Sequence, residues 1–111
     1  MTWTAEKLEQ IPEVYRDFMI VLKPVLDSKA PGRVLRINGI HFGMVYETLS
    51  NQHGYDVEQV REVAHNLRRQ GWIEEDNLGF FTPTAKGEDL IAALSGAANG
   101  QGKTVPPLPT F

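Results

Sequence analysis

The chain has 111 residues, 41% of them hydrophobic and 23% charged, proportions that suit one globular domain with a single core of three or four helices and leave no room for a second. It contains no cysteine, which excludes disulfides, thiolate metal sites and cysteine nucleophiles together and makes an intracellular, cytoplasmic setting the expectation. The net charge of −3, from 14 acidic and 11 basic side chains, sets no overall attraction to polyanions. No segment offers the ~20 apolar residues of a membrane helix, and residues 1–6 carry neither the basic flank nor the apolar run of a leader peptide.

Thr4 is placed to cap a first short helical segment, with Trp3 and Leu8 at the spacing of a hydrophobic staple. Pro12 fits a first helical turn, so the main first helix is expected to start near Ile11. It would carry Ile11, Val14, Tyr15, Phe18, Met19 and Leu22 on one face, continued by Val25 and Leu26. Pro24 removes a bond to the Ile20 carbonyl, which predicts an end or a kink there and a further turn through Asp27. Ala30-Pro31-Gly32 then breaks the chain.

Arg33-Val34-Leu35-Arg36-Ile37 is too short for a helix and partly alternates, which makes it a strand candidate whose partner must lie elsewhere. Asn38 or Gly39 is expected to open a second helix carrying Ile40, Phe42, Val45, Tyr46 and Leu49, with Ile37 and Phe42 as its staple and Gly54 as its end. Asp56 with Gln59 has the form of a capping box, and Tyr55 with Val60 repeats the staple spacing. A third helix therefore runs from about 56 to 70, burying Val57, Val60, Val63, Ala64 and Leu67. Gly71 lets the chain leave it.

Trp72-Ile73 and Phe80-Phe81-Thr82 flank the turn Asp76-Asn77-Leu78-Gly79 as two short antiparallel strands, the natural partners of the strand candidate before them. Trp72 is expected to close the core, with Phe80 or Phe81 beside it and the other facing out. Thr84 caps a fourth helix through Leu90, Ile91 and Leu94. Residues 1–95 thus form one domain, and residues 96–111, rich in Gly and ending in Pro106-Pro107-Leu108-Pro109, are expected to be a flexible tail.

Nothing in the sequence points to an enzyme. His41, His53 and His65 have no second ligand at metal-site spacing. Glu74-Glu75-Asp76 at a hairpin tip lacks the differential shielding that acid–base catalysis needs, and Ser50 with His53 lacks a nucleophile motif or an acidic orienter. No cofactor is implied.

From Asp56 to Leu94 the chain resembles bacterial winged helix-turn-helix regulators of the multiple-antibiotic-resistance and phenolic-acid types. The residues that carry the likeness are Leu67-Arg68-Arg69-Gln70-Gly71-Trp72-Ile73 before the wing and Thr84-Ala85-Lys86-Gly87-Glu88-Asp89-Leu90 after it. The resemblance implies an α+β, mainly helical winged helix with a short three-stranded sheet or hairpin and an added C-terminal helix. It also implies a protein that inserts its third helix into the DNA major groove.

On that reading Arg61, His65, Arg68 and Arg69 contact double-stranded DNA, with Arg33 and Arg36 on the backbone. A homodimer through the first and fourth helices would raise affinity. The wing departs from the pattern: its tip bears Glu74, Glu75 and Asp76 and no cation, and the early part of the third helix presents Asp56, Glu58 and Glu62. Across residues 33–87 six basic side chains stand against seven acidic. The rival expectation is therefore a winged helix used as a protein–protein interaction module without DNA binding. A continuous basic strip would favour DNA, and interleaved charges around an exposed aromatic would favour a protein partner.

Overall fold

The computed structural model describes residues 3–100. Six helices and three short strands follow in the order α1 (Ala5–Glu9), α2 (Glu13–Val21), α3 (Lys23–Asp27), β1 (Ile40–His41), α4 (Phe42–His53), α5 (Val57–Arg69), β2 (Ile73–Glu75), β3 (Phe80–Pro83) and α6 (Ala85–Gly100). The architecture is α+β, mostly helical, with one antiparallel sheet of strand order β1-β3-β2. No helix among the described residues is long and apolar enough to cross a membrane.

The helix boundaries follow from local chemistry. The Thr4 hydroxyl accepts the Lys7 amide at 3.1 Å and starts α1. Pro12 stands just outside α2 with extended backbone (φ −53°, ψ 143°), not in its first turn, so α2 begins two residues later than the position of Ile11 suggests. Ile11 is nevertheless buried. At Leu22 the chain tightens, its amide bonding to the Met19 carbonyl at 3.0 Å. Pro24 then occupies the first turn of α3, where its missing N–H costs nothing. This is the break expected at Pro24.

Residues 33–37 are not a strand; the strand is two residues, Ile40–His41, placed later. The reason lies in the partner. Ile40 pairs with Phe81 and His41 with Phe80, so extending β1 backwards would set residues 33–37 against the start of α6, where no strand edge exists. Gly39 already lies against the Phe81 carbonyl and the Thr82 hydroxyl, where a Cβ would come within 3.1 Å of each. The shift also corrects the start of the second helix. Neither Asn38 nor Gly39 opens it: His41 does, its Nδ1 accepting the Gly43 amide at 3.0 Å.

The remaining ends match the sequence reading. Gly54 closes α4 in the left-handed region (φ 75°), and the Asp56 carboxylate accepts the Gln59 amide at 2.8 Å to cap α5. Gly71 (φ 79°) ends α5, the Trp72 amide reaching the Leu67 carbonyl and the Gly71 amide the Arg68 carbonyl, the paired bonds of a Schellman turn. Thr84 starts α6, accepting the Gly87 amide at 3.1 Å and donating to the Gly71 carbonyl at 2.7 Å. That helix continues through residues 96–100, expected to belong to a tail. Ala92, Ala93, Ala97 and Ala98 favour helix, and no proline interrupts before Pro106. Residues 101–111, with the proline-rich end, lie outside the described residues.

One core joins all of these elements: Phe18, Met19, Leu22 and Val25 from α2 and α3, Val45 and Leu49 from α4, Val60 and Leu67 from α5, Ile73 and Phe81 from the hairpin, and Leu90 and Ile91 from α6. Phe81 is its aromatic centre, edge-on to Phe18 at 5.7 Å and to Phe42 at 6.2 Å, while Phe80 faces outward. Trp72 takes Trp3 as its aromatic neighbour (6.2 Å, T-shaped), not Phe80 or Phe81.

The tightest approach is at Gly87, where an added Cβ would stand 2.0 Å from the Trp72 carbonyl oxygen. Backbone cannot yield as a flexible side chain does, so Gly87→Ala should cost about 3 kcal/mol, the upper end of overpacking penalties. Gly96→Ala, with nothing within 4 Å, should instead gain roughly 0.5–1 kcal/mol from helix propensity. Urea midpoints of the two variants at unchanged m-value check this pair of opposite signs.

Candidate nucleic-acid interface

Helix α5 packs against α2 and α4 through Val60, Val63, Ala64 and Leu67, so its opposite side is exposed. Arg61, His65, Arg68 and Arg69 follow one another at intervals of four, three and one and fall within about 100° of the helix circumference on that side. All four are exposed.

Two of these residues have partners that hold them. The Arg61 guanidinium lies over the Phe42 ring, 5.0 Å from its centroid, which fixes the arginine beside the first turn of α4. Arg68 Nη1 donates to Glu75 Oε1 at 2.9 Å, so the late part of α5 is bridged to β2. Beside Arg61 and His65, a shallow hollow is lined by Asp56, Glu58 and Glu62. The acidic character of the first half of α5 is thus a surface fact as well as a sequence one.

Arg33 and Arg36 are not brought to this face by any hollow they line. Arg33 borders a depression with Pro24, Asp27, Ser28, Val34, Leu35 and Ile37. Arg36 borders another with Ile37, Asp76, Leu78 and Phe80. Charges of both signs are therefore interleaved around α5 and the hairpin, with Phe80 exposed between them.

The hairpin tip is rigidly built. Asp76 Oδ1 accepts the amides of Leu78 at 2.8 Å and Phe80 at 2.9 Å, and Gly79 supplies the positive φ of 87°. The Phe80 bond, joined by those of Leu78 and Gly79 and by nearby His41, holds the carboxyl below its ordinary value against the opposing effect of desolvation. His41 links this tip to α4: its ring is T-shaped to Phe80 at 5.1 Å, and the Phe42 amide donates to the Gly79 carbonyl at 2.9 Å.

The turn between α4 and α5 is tied to α2 by a polar group the sequence does not announce. Tyr55 donates its hydroxyl to Asp17 Oδ2 at 2.8 Å, and His53, stacked on Tyr55 at 5.4 Å, lies 3.7 Å from the same oxygen. Of the residues that shape the candidate interface, sequence reasoning misses Phe42 and Glu75 as partners of Arg61 and Arg68. The spacing of Arg68 to Glu75 crosses a helix end and a turn, so no helical periodicity signals it. No group of three or more His, Asp and Glu that would hold a metal ion occurs among the described residues.

No family model, curated protein or solved structure matches this chain.

Desolvation, followed by the Asp17 hydrogen bond and the charges of Asp17 and Glu13, pushes Tyr55 up to about 12. Because the fold favours the neutral phenol, the stability linked to Tyr55 is complete below the ordinary value of 10.0 and is lost as pH rises through about 12. An ultraviolet tyrosinate titration should show Tyr55 ionising late. Asp17→Asn should move that midpoint down while leaving it above 10.0, since burial remains. A Tyr55 midpoint of 10.0 in the unaltered protein would contradict this tie.

Proposed function

We propose that this chain is a winged helix-turn-helix protein that binds double-stranded DNA with α5, the hairpin β2–β3 being its wing. The topology supports this reading. A strand precedes two helices, a hairpin follows them, and the strand order β1-β3-β2 sets the hairpin beside the end of the second helix. The observation that carries it is the exposed row Arg61, His65, Arg68 and Arg69 on that helix. A helix of this diameter fits the major groove, and arginine is the residue that reads guanine bidentately.

The Arg68–Glu75 pair does not oppose the reading strongly. Its side chains are 49% and 30% exposed, and such pairs contribute only ~0.2–1 kcal/mol, so a phosphate can displace the carboxylate. The wing's acids make backbone contact there unfavourable, and α5 is left to carry the interaction, since Arg33 and Arg36 line separate hollows that α5 does not share. A dimer in the cytoplasm, without a cofactor, completes the proposal.

A second reading is a winged-helix module that binds a protein. The interleaved charges and the exposed Phe80 beside Glu74, Glu75 and Asp76 favour it, since such surfaces suit polar rims around an aromatic anchor.

Titration of a fluorescent mixed-sequence duplex at several salt concentrations separates the two. DNA binding should weaken as salt rises, with a slope near 0.9 per neutralised phosphate. Arg68→Glu with Arg69→Glu should weaken it at least about tenfold, equivalent to ~1.4 kcal/mol. Absence of binding by the unaltered protein at low salt would overturn the DNA reading and leave the protein partner.

A further inference from the structure

Residues 28–46 carry Lys29, Arg33 and Arg36 and no carboxylate, in a chain whose net charge is negative. Lys29 is paired with Glu88, which leaves Arg33 and Arg36 as the charges of the loop that follows α3. One buried side chain closes this loop. Ser28 Oγ donates to the Val25 carbonyl at 2.8 Å and accepts the Ile37 amide at 3.0 Å. Pinned at its base, the loop holds Val34 and Leu35 out in solvent, 95% and 80% exposed.

The hairpin offers the opposite composition. Glu74 and Asp76 are exposed along it, Glu75 being paired with Arg68, and Leu78 (73% exposed) and Phe80 stand out beside them. Arg36 and Ile37 of the loop line the same hollow as Asp76, Leu78 and Phe80. Loop and hairpin are therefore one continuous patch, basic and aliphatic on one half, acidic and apolar on the other.

From this we infer that the loop of residues 29–37 and the hairpin form the interface of a homodimer, each copy's loop lying on its partner's hairpin. A twofold axis through the shared hollow superposes the basic half of one copy on the acidic half of the other, twice over. That self-complementarity is what an isologous interface requires. A uniformly acidic or basic partner would match one half and repel the other. Large aliphatic side chains exposed to this extent on both halves gain burial in the same step. The interface differs from one made by the first and last helices, and it stands whether or not α5 binds DNA.

Sedimentation equilibrium of the full chain tests the inference. The unaltered protein should be a dimer at micromolar concentration. Arg33→Glu with Arg36→Glu should be monomeric, and so should Glu74→Arg with Glu75→Arg, each retaining its far-ultraviolet circular dichroism. Mixed in equal amounts the two should form a dimer again, because both loop–hairpin contacts then join opposite charges. Val34→Ser with Leu35→Ser, which alters no charge, should weaken the dimer as well. A monomeric unaltered protein, charge variants that stay dimeric, or a mixture that stays monomeric would each overturn it.

Discussion

The carbonyl of Trp72 occupies the space where a side chain on residue 87 would have to stand, and the placement of α5 against the hairpin and α6 depends on that contact. Three elements meet at this point. Helix α5 ends in the Schellman turn at Gly71, β2 begins one residue after Trp72, and the Thr84 amide returns to the Trp72 carbonyl at 3.1 Å as α6 starts. Thr84 adds its hydroxyl bond to the Gly71 carbonyl, and Lys86 donates to the Gln70 carbonyl at 3.2 Å while lying over the Trp72 ring. A cation at the C-terminal end of α5 also complements the helix dipole. The junction accepts a cost, since Trp72 Nε1 is buried without a hydrogen-bond partner; orphaning a donor in this way typically costs about 1–3 kcal/mol.

From this junction the surface chemistry follows. With α5 and β2 held at a fixed angle, Glu75 comes within bonding distance of Arg68, and the acidic strand lies alongside the basic end of the helix. Arg61, about two turns before Arg68, is held instead by the Phe42 ring. The same α4 start is capped by His41, which also contacts the hairpin through Phe80. One end of the candidate interface is thus braced by the hairpin through an ion pair, and the other by Phe42 at the start of α4, whose cap His41 lies edge-on to Phe80. A ligand approaching α5 would meet an ordered Arg61, whereas Arg68 would first have to leave Glu75.

The parts of this arrangement legible in the sequence are those set by local chemistry. Asp56, Thr84, Gly54 and Gly71 mark helix ends because an amide needs an acceptor or a residue needs positive φ within a few positions. The hairpin is equally visible, since the turn residues and the flanking apolar pairs are contiguous. The first strand is misplaced because its position depends on where β3 stops and α6 begins, more than 40 residues later. His41 as a cap escapes notice for a related reason: histidine is not a habitual capping residue, and only the β1 pairing sets its ring over the Gly43 amide. The exposed row on α5 is readable from helical spacing, whereas its restraint by Phe42 and Glu75 is tertiary and leaves no periodic trace.

The claim that joins these observations is that the exposed face of α5, and not the acidic hairpin, meets nucleic acid. Backbone amide resonances followed during addition of a short DNA duplex test it most directly. The account predicts shifts concentrated at Arg61, His65, Arg68 and Arg69, with residues 74–76 unmoved apart from Glu75 as its pair to Arg68 is released. Shifts confined to the hairpin and the loop before β1, or no shifts at low salt, would contradict it.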